Sequence, residues 1–131
     1  MKKTTLLHAE LSHLIATLGH GDAVVIADAG LPVPPGTPCI DLAVTRGVPS
    51  FAQVLDAVLS EMQVETADHA AEMATHAPQV QAILRQRLGA VPLHSIAHGA
   101  LKQRSGQARA IVRTGECTPY ANVILYAGVV F

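Results

Sequence analysis

The sequence has few aromatic and few charged residues. Phenylalanine and tyrosine occur twice each, tryptophan is absent, and 15% of the residues are charged, where about a quarter is usual in a globular domain. Half of the residues are hydrophobic. A surface this low in charge indicates that other subunits cover part of it. With a net charge of -1 and no run of lysine or arginine, the chain has no basic face for phosphates, and we expect no nucleic-acid partner.

Long apolar segments and cysteines are also scarce. Charged and polar residues interrupt the N-terminal region before the core of a signal peptide could form, and no apolar run approaches the ~20 residues that span a bilayer. We therefore expect a cytoplasmic protein without a membrane partner. Cys39 and Cys117 are interpreted as reduced thiols that pack as small buried hydrophobic residues.

The rest of the sequence alternates between helical and extended patterns. Apolar residues at helical spacing predict helices over 7–18, 51–59, 78–88 and 98–104, with Ser50 and Pro78 at the start of the second and third. Apolar runs predict strands over 23–27, 40–44, 91–96, 108–113 and 123–126, and 64–73 is assigned to a strand that turns into a loop. This alternation predicts one three-layer α/β domain over residues 1–131, with a mainly parallel (mixed) sheet of about six strands.

Seven histidines are many for this length, but their spacing does not predict a metal site. Glu10 and His13 give a single E-x-x-H, whereas di-iron bundles need two copies and partner carboxylates. His69, Glu72 and His76 would share a face if their segment were helical, yet no H-E-x-x-H motif or cysteine ligand accompanies them. That segment is interpreted as a solvated face.

His20 is the histidine whose surroundings best suit catalysis. It lies between Gly19 and Gly21 and precedes an apolar strand with Asp28 at its far end. Flanking glycines let the backbone approach a ligand closely, and imidazole, with an unperturbed pKa of ~6.5, suits proton transfer near neutral pH. A purely structural turn histidine is the alternative. The G-H-G sequence is not a dinucleotide fingerprint, because it follows a helix and precedes a strand.

Four segments together resemble the sugar mutarotase family, which includes the ribose pyranases and the L-fucose mutarotases. They are LGHGDAVVIADAGLPVP, IDLAVTRGVPSFAQVL, SEMQVE and IVRTGECTPYANVILYAGVVF. The resemblance covers nearly the whole chain and is weakest over 75–106. Gly30-Leu31 and the Pro119-Tyr120-Ala121-Asn122 run resemble the ribose branch of the family.

The resemblance implies an enzyme that interconverts the pyranose and furanose forms of D-ribose. It implies that His20 is the acid/base residue. Because ring opening is acid/base chemistry and the sequence has no metal-ligand cluster, we expect neither a cofactor nor a metal. The implied substrate-binding residues are Asp28, His98, Lys102, Tyr120 and Asn122. It also implies a three-layer α/β/α sandwich and a homodecamer of two stacked five-membered rings.

These side chains suit the chemistry of sugar ring opening. Opening a hemiacetal removes one proton from the anomeric hydroxyl and delivers one to the ring oxygen, which a positioned acid/base residue accelerates by ~10²–10⁴-fold. Carboxylate, amide and phenol groups can hold the hydroxyls of a polyol at the edge of a strand. For Tyr120 and Asn122 the alternative is a well-satisfied turn. For the chain, the alternatives are an L-fucose mutarotase, a non-catalytic sugar-binding accessory of a ribose transporter, and a structural ring protein.

Other charged residues near these motifs have structural interpretations. Arg113 and Glu116 are expected to form an ion pair that shapes the last loop. Asp22 and Asp41 either orient His20 or cap secondary-structure elements.

Overall fold

The computed structural model describes residues 1–131 as five helices and six strands. The helices are α1 Ala9–Ala16, α2 Phe51–Leu59, α3 Met73–His76, α4 Pro78–Leu88 and α5 His98–Ser105. The strands are β1 Ala23–Ala27, β2 Cys39–Asp41, β3 Val64–Ala70, β4 Leu93–Ile96, β5 Ala110–Arg113 and β6 Val123–Ala127. The predicted elements are all present, and the short helix α3 is the one that the sequence patterns did not predict.

Local interactions explain several of these boundaries. Ser50 and Gln53 form a reciprocal capping box at the start of α2, which satisfies two N–H groups that a helix start leaves free. Pro78 is in the first turn of α4, where its missing N–H costs nothing. Strand β2 ends at Asp41, earlier than predicted, because the Asp41 carboxylate accepts a hydrogen bond from the Ala43 N–H and turns the chain.

The six strands form one mixed sheet in the order β2-β5-β1-β6-β3-β4. Strand β6 is antiparallel to both of its neighbours, β1 and β3, while the other pairs are parallel. The parallel strands therefore end at the same edge of the sheet at which β6 begins. We call this the carboxyl edge, and the opposite one the amino edge.

Helices cover both faces of the sheet, so the predicted three-layer α/β/α architecture is confirmed. In β1, Val24 and Ile26 face a core of 23 buried residues beneath α1, α2 and α4, whereas Val25 and Ala27 face a core of eight beneath α5. Alternate residues of a strand point to opposite faces, which explains this division. The second face thus has much less apolar packing than the first.

Two sequence-based interpretations are wrong. Cys39 and Cys117 are free but exposed, because Cys39 lies on the edge strand β2 and Cys117 in the loop between β5 and β6. His69 does not belong to a solvated face: it lies in β3 and is 1% exposed. Its pKa is lowered, mainly because burial disfavours the imidazolium form.

None of the helices combines the length and the apolar composition that crossing a bilayer requires. No group of three or more histidine, cysteine, aspartate or glutamate side chains is arranged to hold a metal ion.

Candidate functional site

An open, partly polar pocket lies at the carboxyl edge of the sheet, on the face that carries α5. Its volume is about 370 Å³, which lies at the small end of the usual range for ligand pockets. The lining residues are Asp28, Gly30, Leu31, Pro32, His98, Lys102, Pro119 and Tyr120. Four of the six residues predicted for the site therefore line one pocket, although they come from three separate parts of the chain.

Asn122, a fifth predicted residue, lies directly behind this pocket and holds Asp28. The Asn122 side chain is fully buried at the start of β6. Its Oδ1 accepts the Asp28 backbone N–H at 2.9 Å, and its Nδ2 donates to Asp28 Oδ2 at 2.9 Å. Asp28 Oδ1 also accepts the Gly30 N–H at 2.9 Å. The carboxylate is thus fixed on both oxygens, and each oxygen retains capacity for another donor.

Tyr120 has an unusual backbone conformation for its residue type. Its φ of 64° lies in the left-handed region, which costs a residue with a Cβ atom about 1 kcal/mol or more. Its ring contacts two imidazoles, with both centroid distances 4.9 Å: His98 contacts it edge-on and His76 at a tilt of 54°. Backbone strain at a pocket residue is typical of functional sites.

His98 and Lys102 lie one helical turn apart on α5. His98 is the first residue of this helix, and its backbone N–H donates to both carboxylate oxygens of Glu72, at 3.1 and 3.3 Å. The buried Nδ1 atom of His98 has no hydrogen-bond partner. Lys102 is exposed at the pocket rim, where its ammonium can donate to a ligand hydroxyl.

The other end of α5 is joined to the sheet by a buried carboxylate. Asp68 of β3 is 2% exposed and accepts hydrogen bonds from Arg104 at 2.6 Å and from the Tyr126 hydroxyl at 2.8 Å. Burial, together with this hydrogen bond to a carboxylate, raises the pKa of Tyr126. Removing either partner would leave the Asp68 charge buried and less compensated.

His20 lies elsewhere, at the amino edge. It is in the turn before β1, and its Nε2 is 2.9 Å from Glu65 Oε2, with both side chains more than half exposed. The five residues of β1 separate this turn from Asp28, a length of about 17 Å at the usual rise per residue. Within one chain, therefore, His20 is not part of the pocket at the carboxyl edge.

The structure decides between the two interpretations of Asp22 and Asp41 in favour of capping. Asp22 accepts hydrogen bonds from the Gly19 N–H and from Arg109, so it caps the turn and does not contact His20. Asp41 likewise pairs with Arg113 at 3.0 Å. The carboxylate next to His20 is that of Glu65, which the sequence analysis did not identify.

The expected Arg113–Glu116 ion pair is absent. The Glu116 carboxylate instead accepts hydrogen bonds from the N–H and hydroxyl of Thr118 and from the Phe51 N–H at the start of α2. Burial raises the pKa of Glu116, but these hydrogen bonds to the carboxylate outweigh burial and lower it below its ordinary value. Glu116 therefore holds the β5–β6 loop, which carries Tyr120, against α2.

Two residues next to the pocket were missed as site residues, Glu72 and His76. His76 ends the short helix α3 and Glu72 is its N-cap residue, and the sequence patterns did not predict this helix. Their i, i+4 spacing would place both side chains on one face of a helix. This spacing was the available signal for the two residues, but it applies only to a helix, and the segment was predicted as a strand that turns into a loop.

The fold and the pocket define a class of small α/β sandwich proteins whose polar pocket lies at the carboxyl ends of the strands. The chain belongs to the RbsD / FucU transport protein family, whose model matches residues 1–130. A relative from Variovorax paradoxus, named D-ribose pyranase, is 56% identical over the full length of both chains. The solved structure of Bacillus subtilis RbsD complexed with D-ribose is 41% identical, covers both chains fully and superposes with a TM-score of 0.97. The fucose mutarotase from Streptococcus pneumoniae in complex with L-fucose is 26% identical over both full chains, with a TM-score of 0.85.

Proposed function

We propose that this protein is an isomerase, a D-ribose pyranase that interconverts the β-pyranose and β-furanose forms of D-ribose. The observation that carries the proposal is the full-length similarity to a relative named D-ribose pyranase. The close structural similarity to a protein complexed with D-ribose supports the choice of substrate. The pocket supplies hydrogen-bonding groups suited to a monosaccharide.

In the proposed mechanism the pocket holds the sugar and one imidazole moves the protons. Asp28 accepts hydrogen bonds from hydroxyls, and Lys102 and Tyr120 donate to sugar oxygens. The neutral imidazole takes the proton from the anomeric hydroxyl and, as imidazolium, returns it to the ring oxygen as the bond between the anomeric carbon and the ring oxygen breaks, which gives the open-chain aldehyde. Attack by a different hydroxyl on the aldehyde then closes the other ring with the reverse proton transfers. The cycle needs no cofactor, and the protein is unchanged at its end.

We propose that His20 is the acid/base residue and that it acts on sugar held by a neighbouring subunit. His20 and the pocket lie at opposite edges of the sheet, so a second copy of the chain has to bring them together. The exposed position of His20 suits this arrangement, and Glu65 would orient its imidazole. An alternative within one chain is His98, which already lines the pocket.

We propose a homodecamer of two five-membered rings as the assembly. Large apolar side chains are exposed at several places on the surface: Leu7, Val44, Val48, Val130 and Phe131. Such side chains favour burial between subunits, and a closed ring joins two different faces of each subunit. Sedimentation analysis tests this proposal, since a monomer would contradict both the ring and a site shared between subunits.

We also propose that the protein acts in the cytoplasm, in ribose catabolism. Two free, exposed thiols suit a reducing compartment. Immunoblotting of cytoplasmic and periplasmic fractions tests the location.

Saturation-transfer NMR on equilibrated D-ribose tests the activity directly. Irradiating the anomeric signal of the β-pyranose should decrease the β-furanose signal faster in the presence of the protein than in buffer. The same measurement with L-fucose separates the two branches of the family. Faster exchange of L-fucose than of D-ribose would assign the chain to the fucose branch, and ribose binding without faster exchange would indicate a non-catalytic binding protein.

A further inference from the structure

Apolar packing alone does not fix the position of helix α5, which carries His98 and Lys102. Of the eight residues of α5, Leu101 and Ser105 are the buried ones. Two polar contacts supplement this limited packing. Arg104 joins the end of the helix to buried Asp68, and Glu72 joins the start of the helix to the segment after β3.

The contact with Glu72 sets the position of His98. A helix leaves its first N–H groups without partners inside the helix, and Glu72 accepts one of them through both carboxylate oxygens. The Nδ1 atom of the His98 ring has no hydrogen-bond partner. The backbone hydrogen bond with Glu72 and the ring contact with Tyr120 therefore both help to hold this histidine in place.

His76 makes the corresponding contact with Tyr120, the pocket residue whose ring touches His98. Its Nδ1 lies 3.1 Å from the carbonyl oxygen of Glu72, within hydrogen-bond distance, and its ring packs against Tyr120 with a centroid distance of 4.9 Å. Tyr120 is held in a left-handed backbone conformation, which persists only where its surroundings over-determine it. Residues 72–76 thus contact both His98 and Tyr120, two pocket residues whose rings touch each other.

We propose that Glu72 and His76 are positioning residues of the sugar pocket: Glu72 sets His98 through the first N–H of α5, and His76 supports the ring of Tyr120. This inference rests on the proposed function. Neither residue lines the pocket, so their effect on the sugar passes through the two residues that they hold.

The test compares four variants of the full-length protein by saturation-transfer NMR at increasing D-ribose concentrations. Glu72→Ala removes the acceptor for the His98 N–H and should raise the KM for ribose by about 10- to 100-fold, the cost of a misplaced contact residue. Glu72→Gln retains an acceptor oxygen and should stay within a few-fold of the wild type. His76→Ala should raise KM in the same direction as Glu72→Ala. Asp56→Asn removes a carboxylate that pairs with Arg87, away from the pocket, and should leave KM unchanged.

Amide hydrogen exchange without ribose gives a second readout, independent of activity. In Glu72→Ala the first amides of α5 should exchange faster than in the wild type, whereas those of β1 should not change. A general loss of stability would instead lower the active fraction, and with it the apparent kcat, while KM stayed the same.

The outcomes separate the two proposals. If the wild type does not exchange ribose, the proposed function is wrong, and the amide exchange still decides whether Glu72 holds α5. If the wild type is active, an unchanged KM in Glu72→Ala overturns the inference, and so does a loss in Glu72→Gln as large as in Glu72→Ala. The His76 side chain is exposed, so His76→Ala should fold even if Glu72→Ala does not. An unchanged KM in His76→Ala then overturns the inference that His76 supports the ring of Tyr120.

Discussion

Replacement of Asn122 by alanine should both destabilise the protein and weaken ribose binding. The Asn122 side chain is completely buried and makes two hydrogen bonds with Asp28, one with its backbone N–H and one with its carboxylate. Alanine supplies neither partner. The Asp28 N–H loses its acceptor, and the carboxylate loses one of the two donors that orient it.

The expected loss of stability follows from these two contacts. A hydrogen bond between neutral groups contributes about 1 kcal/mol and one to a charged group about 1.5–3 kcal/mol. Because Asp28 is partly exposed, we take the lower value for the carboxylate, and the free energy of unfolding should fall by about 2.5 kcal/mol. For a domain of this size that corresponds to a decrease in Tm of about 10 °C.

Urea unfolding and calorimetric titration with D-ribose measure the two effects separately. Asp28→Asn is the matched control, because it retains the backbone N–H bonded to Asn122 but removes the charge. It should cost less stability than Asn122→Ala and should weaken ribose binding. A loss of less than about 1 kcal/mol in Asn122→Ala, with an unchanged denaturant slope, would refute the claim that this amide holds Asp28.

Three further changes test other parts of the structure. His20→Ala should slow ribose exchange by at least ~10²-fold while ribose affinity stays within an order of magnitude. Mixing the His20→Ala and Asp28→Ala proteins and reassembling their subunits should restore activity. Confirmed subunit exchange without recovered activity would contradict a site shared between subunits. Burial lowers the pKa of His69, so below pH ~6.5 the unfolded chain binds more protons than the folded protein. The free energy of unfolding should therefore fall as the pH drops below that value. His69→Gln should reduce this pH dependence, which urea unfolding at pH 5 and 7 measures. Gly115→Ala should destabilise by about 1–3 kcal/mol, because a Cβ atom there would lie 2.5 Å from backbone atoms of a neighbouring loop, whereas Gly99→Ala meets no atom within 4 Å and should not destabilise.

The sequence by itself determined most of the secondary structure, because the relevant signals are local. The apolar run of β1, the capping box that begins at Ser50 and the proline that begins α4 act within a few residues of the elements they define. Helix α3 escaped prediction because it has only four residues and no side-chain cap at its start. The resemblance of the motifs at both ends of the chain identified the family, which the full-length comparisons confirmed.

The tertiary structure decided which of these residues meet. Arg113 and Glu116 are close in the sequence, yet Arg113 pairs with Asp41 because parallel pairing of β2 and β5 places those two residues opposite each other. Glu72 and His98 are 26 residues apart, yet they bond because β3 and β4 are parallel neighbours that end at the same edge.

The same topology separates His20 from the pocket. His20 is close to Asp28 in the sequence, but a strand runs straight between them and carries them to opposite edges of the sheet. Asn122, by contrast, is 94 residues from Asp28 and hydrogen-bonds to it, because β6 runs antiparallel beside β1 and begins where β1 ends. Sequence spacing sets the length of each element, but the direction and order of the strands determine which ends come together.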